Sequence, residues 1–555
     1  MIEQIRKIPA SLLLLCIGAV MFFPNIDLVH LFDWDEINFA ESAREMLVTN
    51  NYWQVQIDYK PFWEKPPLFI WMQALSMKFF GVGEYGARFP NAVCGLITIL
   101  VLYLIGKRLY DREFAVIWVM AYVGSLLPHF YFKSGIIDPW FNLFIFLSIY
   151  FLSLLANDEE FLNKKKAKRL RFRYVLLSGL FAGLAILTKG PVAILLIGLT
   201  LLVFFLWNRA KKIISIFEII VGMIVILIVT FFWYGFETIE NGPFFIKRFI
   251  EYQIRLFQTE DAGHGGPFYY HFIVLLIGCF PASFFALKAV FTRAEDKVLA
   301  IDFKKWMMAL LFVVLLIFSI VKTKILHYSS LAYFPLTFLA AQTIWNWSKD
   351  KVSLRLVFKL ALGFVLILLS TAMIALPIVA GDKEFLFAII SEKDLFARAS
   401  IERGIVWADW EATYGLLILL AWSSVFVLWH FGKRYAGSFV LFATTVIYIQ
   451  TSLYAFAPRI EEYAQGPAIE FYEQFQGTDT EVRVLGFKSY AHLFYTRKMP
   501  GNLDDKLTEE SYLKGELDAP VYFVSKVDRI EKYSDVDDLE ELYRKGGFVF
   551  LVRYP

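Results

Sequence analysis

Long apolar stretches separated by short polar loops dominate the first 456 residues of the chain. A helix needs about 20 apolar residues to cross the ~30 Å hydrocarbon core of a bilayer. The pattern predicts thirteen spans, at residues 8–25, 89–105, 114–131, 137–155, 174–188, 191–207, 213–234, 268–290, 306–321, 328–347, 354–379, 412–431 and 436–456. The first span follows Arg6 and Lys7 without a small-residue cleavage site, which predicts an uncleaved anchor.

Three connecting segments are long enough to carry structure of their own, namely 26–88, 235–267 and 380–411. The first contains two amphipathic stretches, 36–48 and 67–80. These stretches predict interfacial helices that lie on the membrane surface.

The pattern changes after residue 456, where short apolar runs alternate with polar turns. It predicts a helix at 467–476, strands at 481–487 and 520–525, a helix at 535–545 and a strand at 547–553. The predicted fold is therefore a polytopic α-helical membrane domain, 1–456, followed by a small α/β domain, 457–555. Because this tail contains no glycine-rich phosphate loop, no nucleotide cofactor is expected.

Composition and charge agree with a membrane protein and predict its orientation. Apolar residues make up 58% of the chain and charged residues 19%, which excludes a soluble enzyme and a disordered scaffold. Lysine and arginine concentrate in alternate loops, whereas the tail has nineteen acidic and thirteen basic residues. The positive-inside rule then places the N-terminus in the cytoplasm and the tail outside, as in a bacterial inner membrane protein. The basic loops are an orientation signal in contact with membrane lipids and do not indicate nucleic-acid binding.

Two aspartates on the predicted outer side are candidate catalytic carboxylates. Asp35 lies in Asp33-Trp34-Asp35-Glu36, where an acidic residue could equally stabilise a helix as its N-cap. Asp138 lies at the outer end of the fourth span before Pro139, and it too could be only a cap. A carboxylate at the membrane is costly, however, so it usually has a partner or a function.

Several cationic residues on the same side indicate an anion site. Lys65 precedes two prolines that open the helix at 67–80, and a lysine before a helix N-terminus suits a phosphate, although a simple turn would look the same. The other candidates are Lys189, in a turn between two spans, and Lys322 and Lys324, which precede Tyr328.

A metal site is the least supported of these hypotheses. His264 lies in a glycine-rich loop, where histidine is usually solvated. Glu64 and His264 could together hold a divalent cation if the fold brought them close.

All of these residues fall on one side of the predicted topology, which favours an outward-facing active site over separate surface features. The motif order resembles that of bacterial GT-C glycosyltransferases, and most of all the aminoarabinose transferases that modify lipid A, which are related to protein O-mannosyltransferases. The resemblance covers about 450 residues and is carried by Asp35 to Met46, Glu64 to Leu68, Leu187 to Pro191, His264 to Tyr270 and Lys324 to Tyr328. The chain departs from the family at Asn38-Phe39, where Arg-Tyr is common, and in Lys324-Ile325-Leu326-His327-Tyr328, which lacks the usual proline.

The resemblance implies an undecaprenyl-phosphate-linked sugar as donor, with lipid A, a glycan or a protein as acceptor. It implies that Asp35 is the catalytic carboxylate and that Lys65, Lys324 and Tyr328 hold the donor phosphate. Glu64 and His264 match metal-binding positions, and Asp138 matches a second acid lining the cavity.

The sequence therefore predicts an inverting glycosyltransferase acting on the periplasmic side, transferring 4-amino-4-deoxy-L-arabinose or another pentose or hexose. A protein O-mannosyltransferase is an alternative within the same superfamily. A transporter or flippase of polyprenyl-linked sugars is the alternative from another class, and it predicts ionisable residues near mid-membrane and internal repeats.

Overall fold

The protein is described by a computed structural model covering residues 9–156, 164–209, 213–259, 265–290, 298–501, 509–536 and 538–555. Within these ranges, eight helices are long and apolar enough to cross a membrane, or nine if one bent pair forms a single span. The chain is therefore a multi-pass membrane protein. Each of the thirteen predicted segments overlaps a helix, but the count of thirteen spans stays a prediction.

The bundle is built from apolar helices that bury their shared faces and turn their remaining apolar side chains outward. Its helices are Ala10–Phe22, Glu84–Leu109, Arg112–Val123, Leu126–Tyr131, Asp138–Leu155, Lys164–Lys189, Val192–Trp207, Ile216–Asn241, Tyr270–Gly278, Ala282–Val290, Val298–Ile320, Tyr333–Ser348, Leu356–Gly381, Ala412–His430 and Arg434–Thr451. Ile216–Asn241 is the most exposed of them, with Trp233 and Glu237 as its buried residues. This exposure of Leu, Ile and Phe is expected only where lipid replaces water.

Two predicted spans are interrupted. The segment 114–131 divides at Gly124, which fits tightly against Phe442 and would not admit a side chain there. The segment 268–290 forms two helices that meet at 117° around Pro281. Proline cannot donate the backbone hydrogen bond that would continue the first helix, so the chain turns there.

Smaller elements gather at the end of the bundle that carries Asp35 and Asp138, here called the site end. They are the helices Asp35–Thr49, Leu68–Phe80, Phe244–Gln258, Lys383–Ile389 and Leu395–Glu402, and a hairpin of β1 (Gln56–Ile57) and β2 (Lys60–Pro61). Contacts such as Trp63 with Phe244 join these predicted outer segments directly. The described parts of 26–88 and 235–267 therefore share one end of the molecule, and that this end faces outward stays a prediction.

The helix predicted at 36–48 is present as Asp35–Thr49, but its polar face is not solvated as an amphipathic surface helix would be, and its place at the membrane surface stays a prediction. The helix Asp35–Thr49 is buried on its polar face as well as its apolar face, and Glu41, Arg44 and Glu45 are all nearly inaccessible. Arg44 donates to both oxygens of Glu41 at 2.6 and 2.7 Å, and the amide of Tyr59 donates to Glu45 at 3.0 Å. The sequence pattern failed here because the hairpin and the C-terminal region cover the face that water was expected to solvate.

The C-terminal region is the predicted small α/β domain, with one error in its elements. A four-stranded sheet has the order β3 (Glu481–Leu485), β4 (Val521–Lys526), β6 (Phe548–Arg553) and β5 (Glu540–Lys545), in which β3 and β4 are parallel and the other pairs antiparallel. Its helices are Gly466–Glu473, Ala491–Thr496 and Glu509–Lys514.

The helix predicted at 535–545 is wrong, because 540–545 is strand β5. The last helix of the bundle continues through Ser452–Phe456 and Ala457–Glu462, and the domain boundary at 457 stays a prediction.

Candidate functional site

A cavity of about 340 Å³ opens at the site end and is lined by both polar and apolar side chains. Its polar lining residues are Lys65, Asp138, Lys189, Gln253 and Tyr328. Its apolar lining residues are Phe141, Pro191, Val192, Leu195, Ile317, Phe318 and Val321. The structure therefore brings four of the sequence-predicted residues, from four separate segments, around one space. A cavity of this form suits an amphiphile whose head is charged and whose tail is apolar.

Asp138 and Lys189 form an ion pair at the cavity wall. Nζ of Lys189 donates to Oδ1 of Asp138 at 2.6 Å, and the Asp138 side chain is only 3% exposed. The same ammonium lies 5.2 Å from the ring centroid of Tyr328. Asp138 is the first residue of Asp138–Leu155, a helix that has no side-chain cap. The carboxylate thus orients a lysine toward the cavity and does not cap its helix.

Asp35 does not line this cavity itself, but His327, a residue that the sequence did not single out, lies between it and Asp138 of the cavity wall. Nε2 of His327 lies 3.3 Å from Oδ2 of Asp35 and 3.8 Å from Oδ2 of Asp138. Asp35 is the first residue of its helix, which has no side-chain cap, and its carboxylate is about one-third exposed. The alternative reading of Asp35 as an N-cap is therefore not what the structure shows.

The only sign of His327 in the sequence was its position in the motif that ends at Tyr328. Burial lowers the pKa of His327, and the carboxylates of Asp138 and Asp35 oppose that shift. The imidazole is therefore neutral at neutral pH, when it can donate one hydrogen bond and accept another.

A buried ion pair between Arg88 and Glu36 fixes the positions of Asp35 and Asp138 relative to each other. Arg88 donates to Glu36 at 2.8 and 3.0 Å and to the carbonyl oxygens of Ile26, Val29 and His30. Glu36 also accepts from the backbone amide of Gly135. Because Glu36 follows Asp35 and Gly135 precedes Asp138 by three residues, this pair connects the chain segments that carry both carboxylates.

The backbone immediately before Asp35 is strained, and the C-terminal domain contacts it. Trp34 has φ +74°, a region that bulky residues rarely adopt and that is most often found at functional sites. Its ring is exposed and lies 4.8 Å from Nζ of Lys488 of the C-terminal domain. The C-terminal domain therefore borders the entrance to the site.

Lys65 lies at the cavity beside a helix that the sequence reasoning missed. Its Nζ is 5.2 Å from the ring centroid of Tyr252, and Gln253 follows in the same helix, Phe244–Gln258. This helix buries Phe245 and Phe249 and exposes charged residues on its other face. Its period of apolar positions was a detectable signal in the segment 235–267.

Lys322 and Lys324 are not brought into this cavity. Nζ of Lys324 donates to the carbonyl oxygens of Phe318, Ser319 and Val321 at 2.6 to 2.8 Å, so it caps the end of the helix Val298–Ile320. Both lysines line a separate cavity of about 420 Å³. That Lys324 holds a donor phosphate stays a prediction, although its ammonium already donates to the backbone and does not line the cavity that Lys189 lines.

The predicted metal site stays a prediction. Glu64 is half-buried next to Lys65, while His264 lies outside the described residues. Among the residues that the structure describes, no group of three or more His, Cys, Asp or Glu side chains could hold a metal ion.

Comparisons with known proteins agree with this architecture. Residues 64–234 match the family model described as dolichyl-phosphate-mannose-protein mannosyltransferase. One relative is the undecaprenyl phosphate-alpha-4-amino-4-deoxy-L-arabinose arabinosyl transferase of Wigglesworthia glossinidia brevipalpis, to which the chain is 25% identical over 354 residues. This alignment covers 62% of this chain and 60% of that protein. The chain is 28% identical over 285 residues to the transferase of the same name from Shewanella sediminis, and this alignment covers 51% of this chain and 50% of that protein. The matches thus span about half to three-fifths of these two relatives.

The structural likeness extends over nearly the whole chain. The crystal structure of ArnT from Cupriavidus metallidurans bound to undecaprenyl phosphate superposes with a TM-score of 0.76 at 18% identity, covering 98% of this chain and 97% of that one. The apo structure of the same protein gives a TM-score of 0.73. The two molecules share a fold, including the small C-terminal sheet domain.

Proposed function

We propose, from the premise that this chain belongs to the GT-C superfamily of aminoarabinose transferases and mannosyltransferases, that it transfers a sugar from undecaprenyl phosphate to lipid A. The observation that carries the proposal is the cavity that Lys65, Lys189 and Tyr328 line together with apolar side chains. The cations suit the donor phosphate, and the apolar side chains suit the prenyl chain. Asp35, which His327 separates from Asp138 of the cavity wall, is the candidate base.

The reaction is a single displacement at the anomeric carbon. Asp35 accepts the proton of the acceptor hydroxyl while the hydroxyl oxygen forms a bond to the anomeric carbon. The bond between that carbon and the phosphate oxygen breaks, and its electron pair stays on undecaprenyl phosphate. The configuration is thereby inverted.

Cations beside the departing phosphate would stabilise the charge that develops on it. Lys189 is held by Asp138 and Lys65 lies at the same cavity, so both ammonium groups are available near the phosphate without large movement. Because phosphate is a good leaving group, the mechanism needs no general acid.

The proposed location is the bacterial inner membrane, with the site end and the C-terminal domain in the periplasm. The basic loops at the opposite end support this orientation, for example where Arg434 pairs with Asp350 and Lys349 pairs with Glu113. The donor and acceptor would then both reach the site from the outer leaflet.

The test is transfer by the purified protein in detergent. It is supplied with undecaprenyl phosphate-linked 4-amino-4-deoxy-L-arabinose and lipid A, and both lipids are followed by mass spectrometry. The expected result is lipid A carrying one added sugar and an equal amount of free undecaprenyl phosphate. A transporter would release no undecaprenyl phosphate in detergent, so intact donor with every acceptor tried, including glycans and proteins, would contradict the proposal.

A further inference from the structure

The imidazole of His327 lies between the two carboxylates of the site. Its Nε2 is 3.3 Å from Oδ2 of Asp35 and 3.8 Å from Oδ2 of Asp138. Oδ2 of Asp138 is buried and has no hydrogen-bond partner among the described residues, whereas Oδ1 of the same carboxylate accepts from Lys189. A lone pair on Nε2 would face two negatively charged oxygens, so this nitrogen carries the proton of the neutral ring.

The position of His327 is fixed by the helix that carries Asp138. The hydroxyl of Ser330 donates to the carbonyl oxygen of His327, and Nδ2 of Asn142 donates to that hydroxyl at 2.8 Å. Asn142 lies one turn after Asp138 in the same helix. A continuous set of hydrogen bonds therefore joins the backbone of His327 to the element that presents the second carboxylate.

We propose that His327 is a positioning residue for Asp35, with its Nε2–H group donating to Oδ2 of Asp35 and holding that carboxylate in one orientation. This inference rests on the proposed function, because it assigns a role within the same transfer reaction. With Oδ2 engaged by the imidazole, Oδ1 is the oxygen that accepts the proton of the acceptor hydroxyl. Asp138 assists by facing the ring from the other side, which disfavours rotation of the imidazole away from Asp35.

Without this donor, little would hold the Asp35 side chain. Its carboxylate is about one-third exposed, and it follows a strained residue at the start of its helix. An exposed aspartate samples several rotamers, and only some of them direct an oxygen toward the acceptor. A fixed donor on a neighbouring element selects one of these orientations.

The charged and titratable groups that face His327 are Asp35, Asp138, Lys189, Lys65 and His271, together with Tyr328 on its own turn. Of these, the carboxylates of Asp35 and Asp138 are acceptors for the imidazole N–H group, and Oδ2 of Asp35 is the nearer of the two. Removing the imidazole should therefore affect the orientation of Asp35 first.

The experiment compares His327→Leu, His327→Asn and His327→Gln with the wild-type protein. The amide nitrogen of glutamine reaches the position of Nε2, whereas the amide of asparagine is too short and leucine has no donor. We expect Leu and Asn to lower kcat about 10- to 100-fold, the cost typical of losing an orienting partner. The KM for the lipid donor should stay within about twofold, since its phosphate contacts are unchanged.

His327→Gln should recover most of the loss in kcat, because its amide nitrogen can donate from the same position. His430→Gln, an exposed histidine at the end of Ala412–His430, is the control and should change neither kcat nor KM. Binding of undecaprenyl phosphate by each variant shows whether the cavity is intact. If the Leu variant does not bind, the comparison of Asn with Gln decides.

Unchanged kcat in the Leu or Asn variant would overturn the role of His327 while leaving the proposed function in place. A Gln variant as slow as Asn would overturn donation from this position as the reason for its effect. Absence of turnover in the wild-type protein would overturn the proposed function, and with it the role assigned here.

Discussion

Individual side chains at the site differ in whether their charged groups can bind a substrate. The ammonium of Lys324 is fully used by three backbone carbonyls, whereas Lys65 lies at the cavity beside an aromatic ring. A lysine that lies at a cavity beside an aromatic ring can bind a phosphate when a lipid enters the cavity. The two residues were equivalent candidates from the sequence and are not equivalent in the structure.

We expect Lys65→Ala to weaken binding of undecaprenyl phosphate. Losing a charge-assisted contact with a phosphate costs about 1.5 to 3 kcal/mol, which corresponds to roughly a 10- to 100-fold higher Kd. Lys78→Ala, an exposed lysine in the helix Leu68–Phe80, should leave Kd unchanged. Titration of the purified variants with undecaprenyl phosphate measures both, and equal affinities for the two variants would remove Lys65 from the donor site.

The sequence predicted four of the five polar residues that line the cavity, because each stands beside a helix boundary that the apolar pattern reveals. Asp138 and Lys189 were predicted in this way, although their ion pair was not, since it joins residues 51 positions apart. His327 was missed because a single histidine in a short motif gives no indication of what faces it. Only the packing of three separate segments places it between two carboxylates.

Elements at the site end depend on ion pairs that water does not reach. Arg88 and Glu36 are both nearly inaccessible, and together they join the start of the helix Asp35–Thr49 to the segment before Asp138. Removing one partner of such a pair leaves an uncompensated buried charge, whereas an exposed pair contributes little.

We therefore expect Arg88→Met to destabilise the protein by roughly 3 to 5 kcal/mol, because it leaves Glu36 buried without its cation. Lys349→Met, which breaks an exposed pair with Glu113 at the other end of the bundle, should have little effect. Denaturant unfolding in detergent measures the difference. Equal stability of the two variants would show that the buried pair does not support the site end.

The helix Asp35–Thr49 also contains an acid whose protonation is linked to folding. Burial, and next to it the charge of Glu41, raise the pKa of Glu45 to about 9. Between the ordinary value of 4.5 and about 9, the folded protein therefore binds a proton that the unfolded chain has lost. The stability from this group is complete below pH 4.5 and is lost as the pH rises toward 9.

Glu45→Gln should remove this dependence, because an amide replaces the protonated acid and does not ionise. We expect the melting temperature of the variant to fall less between pH 6 and pH 9 than that of the wild-type protein, roughly as the linkage relation requires. Glu392→Gln, an exposed acid in the segment 390–394, is the control and should follow the wild-type curve. Parallel curves for all three proteins would contradict a protonated Glu45 in the folded state.

Most elements could be predicted from the period of apolar residues, and the errors have definite causes. The run 535–545 has leucines and i,i+4 charge pairs typical of a helix, yet 540–545 pairs with β6. Gly546 and Gly547 form the two-residue turn of this hairpin, with Gly546 at φ +56°, and this glycine pair is a stronger signal than the helical period. The buried apolar strand β6 supplies the packing that decides between the two structures.

At the scale of the whole molecule, the two ends of the bundle have different characters. The site end carries the cavity and the C-terminal domain, and the opposite end carries the basic loops. Tyr495 of the C-terminal domain donates to Glu84 and accepts from the amide of Leu31, so this domain is fastened to the site end.

A reporter enzyme fused after residue 555 should therefore be active only in the periplasm, and one inserted in the loop 349–355 only in the cytoplasm. The positive-inside rule gives this result, because Lys349, Lys351 and Arg355 lie in that loop. The reverse pattern would invert the topology and place the site in the cytoplasm, away from the proposed acceptor.

The central claim is that Asp35 acts chemically in sugar transfer, and Asp35→Asn tests it most directly. Asparagine preserves the shape of the side chain and is about as favourable as aspartate at the start of a helix. Its amide, however, cannot accept the proton of the acceptor hydroxyl. The measurement is kcat for transfer from the undecaprenyl phosphate-linked sugar, alongside Kd for undecaprenyl phosphate. We predict a folded variant with unchanged Kd and a kcat lower by at least about 100-fold. Near wild-type turnover would contradict the account and leave Asp138 as the candidate base.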